Sequence, residues 1–330
     1  MSDLHLTMAI NHYDHVQDLA SGRVKPEGID LTVINHGPEE IFHRFLFGFE
    51  WQISEISMGM STSRLSMGNA PFVLIPIFPS RVFRHSSIYM MNNGPVKTPD
   101  DLKGKRIGIP EWGQTAGIYT RGWMVHTAGV GLNEVKWFQS GINEPGRQEA
   151  STLNLPEDVS LTVITDRSLT QMLFDKDLDC VFSARPPKEF LEGDPRIIQM
   201  YPDFRSAEEE YFKETGIFPI MHTVAVRKDV FEKNPWVAQN LMTAFEDAKA
   251  LSYARMSGYT VSHYPVPWLY HDGLRENQKL FKGDFWPYGI EPNKTTLTAF
   301  LEFAWEQGTI HKKLSIEDLF PEEVRHHYKL

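Results

Sequence analysis

Histidine side chains within apolar runs are the clearest candidates for proton transfer in this sequence, because histidine changes charge near neutral pH. The sequence has 13 histidines. Two of them, His85 and His222, lie in long apolar passages that we expect to line the floor of a cleft. Asp14 is a third candidate acid, since it stands between His12 and His15 in a polar loop after a short apolar run. For both His85 and His222, a purely structural role is the alternative.

Three arginines have positions suited to binding a carboxylate, whose two oxygens match the planar guanidinium group. Arg81 and Arg84 lie three residues apart in the first apolar passage, so in an extended chain their side chains point to opposite faces. We therefore expect one of them in the cleft and the other in a supporting position. Arg185 follows an apolar strand, at the place where open α/β sheets present ligands. Surface ion pairing is the alternative for all three, and Arg147 could equally brace a turn.

The turn that begins at Trp112 and leads into a predicted helix offers an anion-binding site. The backbone N–H groups of Gln114, Thr115 and Ala116 would be unpaired at the helix start, and the Thr115 hydroxyl would add a donor. Trp112 looks exposed in this turn and could stack on an aromatic ring. Ser57, Ser61 and Thr62 give the first half of the chain a matching helix start, so ligand donors would reach the cleft from both sides. Simple helix capping is the alternative.

Tyr13 and Trp286 complete the candidate substrate-binding residues. Tyr13 precedes Asp14 in the first loop, and Trp286 belongs to an aromatic segment that could cover the mouth of the cleft or simply pack one lobe. An alternative for the first loop is a divalent metal site formed by His12, Asp14 and His15. The local signal is weak, because His-x-x-His is common by chance and no His-Glu-x-x-His occurs. Phosphate-loop and dinucleotide motifs are absent from the sequence as well. We expect no metal and no cofactor.

The composition limits the partners of the protein. Its 330 residues are 41% hydrophobic and 23% charged, which is typical of a globular chain with a sizeable core. The formal net charge of −10 gives no basic surface for nucleic acid. No run reaches the ~18 apolar residues of a membrane-spanning helix, and the first residues lack a signal-peptide pattern. The single cysteine, Cys180, excludes an intrachain disulfide and suits a reducing cytoplasm.

The order of the apolar runs predicts an α/β protein with two lobes. Apolar runs predict strands at 4–10, 29–34 and 53–60. Helix signals lie between 38 and 47 and over 61–66, where Ser61 or Thr62 could be the N-cap, and this rhythm favours a parallel sheet with helices on its faces. A long helix is predicted over 235–256. The passages 71–91 and 218–226 are interpreted as two strands that cross between the lobes. The first lobe is therefore predicted to be discontinuous, with residues 1–85 and 218–330, and the second lobe to comprise residues 86–217.

Several short motifs together resemble the 4,5-dihydroxyphthalate decarboxylase family, from about Ile53 to the C terminus. The phrase TPDDLKGKRIGI at 98–109, which opens the second lobe, is shared by many solute-binding proteins of the type II periplasmic-binding-protein fold. The more specific motifs are PSRVFRHSSIY at 79–89, GIYTRG at 117–122, EPGR at 144–147, SARPP at 183–187, FPIMHT at 218–223 and WPYG at 286–289. The first loop differs from the family pattern. The family usually has a Tyr-Asp-Arg turn there, whereas in this sequence His15 follows Tyr13 and Asp14.

The resemblance implies a two-lobed type II periplasmic-binding-protein-like fold that removes one ring carboxylate from a catechol dicarboxylate and leaves protocatechuate. It also implies a cytoplasmic enzyme that needs no organic cofactor. Decarboxylation of this kind requires protonation of the ring carbon that carries the leaving carboxylate, so His85, His222 or Asp14 would deliver the proton. The alternative is a solute-binding protein of the same fold that captures an aromatic or other small carboxylate without converting it. A homo-oligomer is compatible with the size of the chain.

Overall fold

The structure is a computed structural model that describes residues 3–258, 260–261 and 263–325. This part of the chain forms two β-sheets, of five and six strands. The first sheet contains β1 (Leu4–Ile10), β2 (Ile29–Asn35), β3 (Ile53–Ser57), β4 (Phe72–Arg81) and β11 (Ile220–Arg227). The second sheet contains β5 (Ile88–Met91), β6 (Arg106–Ile109), β7 (Lys136–Gln139), β8 (Leu161–Val163), β9 (Cys180–Phe182) and β10 (Ile197–Gln199).

Both sheets are mixed rather than parallel throughout. The first has the strand order β2-β1-β3-β11-β4, in which β1 runs parallel to β2 and β3 whereas β11 runs antiparallel to β3 and β4. The second has the order β10-β5-β9-β6-β7-β8, with β5 antiparallel to both of its neighbours. The prediction of parallel pairing is therefore wrong for β5 and β11. The chain enters β5 and β11 directly from the other sheet. Each of these two strands therefore runs opposite to its neighbours.

The chain passes between the two sheets twice. Residues 4–81 and 220–227 supply the strands of the first sheet, and residues 88–199 supply those of the second. The changes of sheet thus occur between Arg81 and Ile88 and between Gln199 and Ile220. The lobe boundaries expected from the sequence, after residues 85 and 217, fall inside these two connections. The two-lobed α/β fold with two crossings is confirmed.

Helices cover the faces of the sheets. The α-helices are α1 (Gln17–Ala20), α2 (Pro38–His43), α3 (Met58–Ser66), α4 (Thr115–His126), α5 (Leu169–Phe174), α6 (Lys188–Leu191), α7 (Phe204–Thr215), α8 (Lys228–Phe231), α9 (Trp236–Met256), α10 (Glu276–Leu280), α11 (Lys294–Glu306) and α12 (Ile316–Leu319). Short π-helical turns follow α2 and precede α10, at Arg44–Gly48 and Leu269–Arg275. None of the helices in the described ranges has the length and apolar character needed to cross a membrane.

The junction of β3 and α3 differs from the sequence-based expectation of a strand over residues 53–60. The strand ends at Ser57 and the helix begins at once at Met58. Ser57 has extended backbone angles and its hydroxyl accepts a hydrogen bond from the Met60 amide, which makes it the N-cap. The helix therefore begins directly at the edge of the sheet, four residues before Thr62, one of the two N-caps predicted from the sequence. This early start places the Ser57 hydroxyl at the cleft.

The return strand β11 lies in the core between β3 and β4 and carries one polar side chain out of it. Its residues are buried except His222 and the terminal Arg227. His222 is paired in register with Ser57 on one side and Ser80 on the other, and the pairing with β4 is irregular on both sides of His222. Irregular pairing of this kind redirects side chains at the edge of a site. It occurs where β11 reaches the cleft.

Candidate active site

A cavity of about 530 Å³ lies between the two lobes, in the size range of small-ligand sites. The first lobe contributes residues of α2, β3, α3 and β11 to its wall, and the second lobe contributes the turn before α4 and two loops. Seven of the residues selected from the sequence line it: Ser57, Arg84, Gln114, Thr115, Ala116, Arg185 and His222. Arg147, which the sequence left between two roles, lines it too.

His222 is the histidine on a crossing strand that reaches this cavity. Its Nδ1 lies 2.5 Å from Oε1 of Glu55, a carboxylate on the neighbouring strand β3 that has no solvent exposure. The imidazole is partly accessible, and the ring of Phe42 packs against it edge-on with centroids 4.9 Å apart. Because Glu55 occupies Nδ1, Nε2 is the nitrogen left for a bound ligand.

The environment of Glu55 keeps it charged. Burial alone would raise the pKa of this carboxyl, but the charge of His222 and hydrogen bonds from His222, Tyr13 and the Asn11 amide together lower the pKa below its ordinary value. The Tyr13 hydroxyl donates to Oε1 at 2.5 Å and the Asn11 amide donates to Oε2 at 2.8 Å. Glu55 is therefore an ionised carboxylate directly behind the histidine of the cleft.

Arg84 is the cation of the cavity that has no acidic partner. It is half-buried at the cavity wall, where its Nη2 points to the sulfur of Met221 and its Nε has no hydrogen-bond partner. Among the described residues no carboxylate lies within ion-pair distance of it, although the charge of Glu208 acts on it from farther away. Burial lowers the pKa of the guanidinium to about 10, so the group remains positively charged at neutral pH. A half-buried guanidinium with no ion pair among the described residues favours a bound anion as its partner.

The other two cavity arginines pair with carboxylates of the protein. Glu39 in α2 of the first lobe lies 3.0 Å from Arg185 and 3.1 Å from Arg147, both of which belong to the second lobe. Arg147 also pairs with Glu111 at 2.5 Å. Glu39 thus connects the two lobes across the cavity. Arg185, which we predicted to bind a ligand carboxylate, binds a carboxylate of its own chain in this state.

The two helix starts predicted to face each other across the cleft are in direct contact. The Thr115 hydroxyl lies 2.9 Å from the Ser57 hydroxyl and accepts a hydrogen bond of the same length from the Gly59 amide. A Cβ atom on Gly59 would lie 2.5 Å from the Gly113 carbonyl oxygen, so glycine is required for this approach. The N-cap of α4, Gln114, makes no side-chain capping bond, and the first turn of α4 lies at the cavity.

The structure places His85 outside this cavity. Its ring is packed among the aromatic rings of Trp123, Tyr201 and Tyr211, with centroids 5.2 to 5.5 Å away. Burial lowers the pKa of His85 to about 4, and its Nδ1 has no hydrogen-bond partner in the described part of the chain. The space beside it, about 10 Å³, has room for no more than a water molecule. A neutral imidazole in an aromatic box corresponds to the structural alternative for His85.

Asp14 is likewise not brought to the cavity. It pairs with Arg255 of α9 at 3.3 Å and accepts hydrogen bonds from Ser252 and Tyr264. Partial burial would raise the pKa of Asp14, but these hydrogen bonds and the Arg255 charge lower it. At neutral pH Asp14 therefore has no proton to deliver, because it is ionised and attached to the back of the first lobe.

The first loop does not assemble the alternative metal site. His12 is exposed, whereas His15 is packed between the rings of Tyr13 and Trp286, and burial lowers the pKa of His15 to about 4. In residues 3–258, 260–261 and 263–325, no three His, Cys, Asp or Glu side chains are grouped so that they could hold a metal ion. His12, Asp14 and His15 point into different surroundings instead.

Four other predicted substrate-binding residues do not line the cavity and instead donate hydrogen bonds to groups of the protein. Arg81 is buried and donates to Asn293 and to the Pro287 carbonyl, so Arg81 and Arg84 do lie on different sides of their strand end. Trp112 is fully buried and does not stack in the cleft, because its indole N–H donates to the Gln307 carbonyl at 2.7 Å. The remaining two donate inward as well, Trp286 to the Phe78 carbonyl and Tyr13 to Glu55.

Glu55 and Glu39 are the residues of the site that the sequence reasoning missed. Glu55 had a visible signal, since it is the charged residue inside the apolar strand β3, and buried carboxylates are rare unless they have partners. Glu39 resembles any surface residue in the first turn of a helix. Its role depends on the approach of two loops of the second lobe, which lie more than 100 residues away in the sequence.

Two curated relatives resemble this chain in sequence. A 4,5-dihydroxyphthalate decarboxylase from Comamonas testosteroni is 35% identical over 321 residues, which covers 97% of each protein. A 4,5-dihydroxyphthalate decarboxylase from Pseudomonas putida is 34% identical over 214 residues, covering 64% of this chain and 83% of the relative. No protein-family model matches the sequence.

Solved structures with the same fold include two sulfonate-binding proteins. The periplasmic aliphatic sulphonate binding protein SsuA from Escherichia coli superposes with a TM-score of 0.53 at 13% identity, over 100% of this chain and 96% of that one. The periplasmic sulfonate-binding protein SsuA from Methylobacillus flagellatus gives 0.51 at 12% identity, over 97% and 92%. At this identity the matches bear on the fold alone, and they confirm the periplasmic-binding-protein-like fold expected from the sequence.

Proposed function

The chain belongs to the 4,5-dihydroxyphthalate decarboxylase family, and from this premise we propose that the cavity between the lobes is where it acts on its substrate. The protein is an aromatic carboxy-lyase that removes one carboxylate from 4,5-dihydroxyphthalate, giving protocatechuate and carbon dioxide. The observation that carries the assignment of the site is that an anion-binding group, Arg84, and a proton-carrying group, His222, line the same cavity. Each group matches one requirement of this reaction.

Arg84 is the anchor for the carboxylate that stays on the ring. It is the cavity arginine without an acidic partner, and a carboxylate would satisfy both its charge and its free N–H donors. The ring of the substrate would lie against the apolar part of the wall, formed by Phe42, Met60 and Met221. The backbone N–H groups at the start of α4 supply further donors to the oxygens of the ligand.

His222 is the acid. In its protonated form it gives the Nε2 proton to the ring carbon that bears the leaving carboxylate. The electron pair of the broken carbon–carbon bond returns to the ring, and carbon dioxide departs. The imidazole is then neutral, keeps its Nδ1 proton toward Glu55, and takes a new Nε2 proton from solvent. No external oxidant or reductant is needed, because one proton replaces one carboxylate.

The reaction requires neither a metal ion nor an organic cofactor in this account. The groups that the chemistry needs are supplied by side chains, Arg84 as the cation for the retained carboxylate and His222 as the source of the proton for the reacting carbon. We also place the protein in the cytoplasm. The relatives are enzymes rather than transport components by name, and a chain with one buried cysteine has no requirement for an oxidising compartment.

The test is turnover by the purified protein after treatment with a chelator. The protein is incubated with 4,5-dihydroxyphthalate while carbon dioxide release and the ultraviolet change to protocatechuate are followed, with and without added divalent ions. We expect stoichiometric carbon dioxide and protocatechuate at equal rates in both samples. Turnover only with added metal ion would overturn the metal-free chemistry. Saturable binding without product would show that the cleft serves a solute-binding protein.

A further inference from the structure

The carboxylate of Glu55 is held more tightly than a simple brace requires. It has no solvent exposure, and three donors surround it: Nδ1 of His222, the hydroxyl of Tyr13 and the amide of Asn11. His222 and Tyr13 converge on the same oxygen, Oε1, and they lie 3.4 Å from each other. The desolvation of a carboxylate is unfavourable, and these three donors offset it.

We propose that Glu55 is a positioning residue for the decarboxylation, acting through His222, and that Tyr13 sets the strength of its action. This inference rests on the proposed function, because it assigns a role in the reaction to groups behind the cavity wall. Glu55 fixes the tautomer by holding the Nδ1 proton, so that Nε2 carries the mobile proton toward the cavity. Its negative charge also stabilises the imidazolium form, which is the form that donates.

Tyr13 moderates this effect. Burial and the nearby Glu55 charge raise the pKa of the Tyr13 hydroxyl, which therefore remains a neutral donor to the carboxylate. A hydrogen bond from Tyr13 spreads part of the negative charge of Oε1 and weakens its pull on the imidazolium. Loss of Glu55 and loss of the Tyr13 hydroxyl should thus change the negative charge that faces His222 in opposite directions. If Glu55 only held the imidazole ring in place, the two substitutions would not have opposite effects.

The experiment compares the pH profile of kcat for wild type, Glu55→Gln and Tyr13→Phe. Glutamine keeps the shape but not the charge, so we expect kcat at neutral pH to fall by at least about tenfold with KM within about threefold. The limb of the profile on which kcat declines with rising pH should move to lower pH in Glu55→Gln. In Tyr13→Phe the carboxylate keeps its full charge, so the same limb of the profile should move to higher pH.

A matched control separates this effect from loss of a buried carboxylate in general. Asp179 is also a buried carboxylate with an ion-pair partner, Arg106 at 2.7 Å, but it immediately precedes β9 of the second sheet and does not line the cavity. Asp179→Asn should reduce stability and leave the pH profile of kcat where it is in wild type. If Glu55→Gln does not fold, Tyr13→Phe still tests the inference by its shift to higher pH.

The outcomes distinguish the inference from the function on which it rests. No turnover by wild type would overturn the proposed function itself. Turnover by wild type, with the profiles of Glu55→Gln and Tyr13→Phe unchanged or displaced in the same direction, would overturn the role of Glu55 and leave the function intact. Displacement in opposite directions, with the Asp179→Asn profile unmoved, would support it.

Discussion

Replacement of Arg84 by methionine tests the anion site of the cavity directly. Methionine keeps much of the length of the side chain and packs well beside Met221, while it removes the charge and all of the donors. Among the described residues the side chain has no ion pair to lose, only the longer-range attraction of Glu208, so the change should affect the ligand more than the fold. Removal of an unpaired buried charge should leave the thermal midpoint of unfolding unchanged or raise it.

The magnitude follows from what the ligand loses. A hydrogen bond to a charged group contributes about 1.5–3 kcal/mol, and leaving the partner charge unpaired in a buried site costs about 2–5 kcal/mol. We therefore expect Arg84→Met to lose about 2–4 kcal/mol of binding free energy. At about 1.4 kcal/mol for each tenfold change, this corresponds to a dissociation constant about 30 to 700 times larger.

The assay is titration calorimetry with protocatechuate, the product that keeps the anchored carboxylate. Arg185→Met is the control, because Arg185 is 66% exposed, pairs with Glu39 at 3.0 Å and should contribute little. We expect less than a tenfold loss of affinity in Arg185→Met. The reasoning is refuted if Arg84→Met binds within threefold of wild type, or if Arg185→Met suffers the larger loss.

Three further substitutions test the surroundings of the site. Glu39→Gln removes the ion pairs between the lobes, so the ligand-free protein should have a larger radius of gyration in small-angle scattering; an unchanged radius would show that these pairs do not hold the cleft closed. Gly59→Ala places a Cβ 2.5 Å from the Gly113 carbonyl and should reduce kcat by holding the lobes apart, whereas Gly37→Ala, with no atom within 4 Å, should not. His85→Phe should lose less stability in acid than wild type: the folded-state pKa of His85 is about 4 against an ordinary 6.5, so wild type loses up to about 3 kcal/mol as pH falls through that interval, and urea midpoints at pH 7 and pH 4.5 measure the difference.

The elements of this fold with a strong local pattern could be predicted from the sequence. The apolar run 4–10 is strand β1 with the same bounds, and the predicted helix 235–256 is α9 but for its first residue. The orientation of β5 and β11 could not be predicted in this way, because a strand's direction depends on the route by which the chain enters the sheet. Strand periodicity is the same for parallel and antiparallel neighbours.

The surroundings of the candidate site residues could not be predicted from local sequence patterns. His85 and His222 both lie in crossing passages, and packing separates them. His222 is the side chain that an irregular pairing of β11 exposes to the cavity, whereas His85 follows the end of β4 and falls among aromatic rings. Trp112 stands beside a glycine and looked exposed, but its indole finds a carbonyl 195 residues later. Contacts at this sequence separation leave no trace in local spacing.

The measurement that tests the central claim most directly compares His222→Asn with His85→Asn in one binding and turnover assay. For each variant, the affinity for protocatechuate and the release of carbon dioxide from 4,5-dihydroxyphthalate are measured on the same preparation. We predict that His222→Asn binds within about threefold of wild type and loses 10²- to 10⁴-fold in kcat, the contribution typical of a general acid. His85→Asn should keep kcat within about tenfold of wild type. Carbon dioxide release by His222→Asn at the wild-type rate would contradict the assignment of the acid.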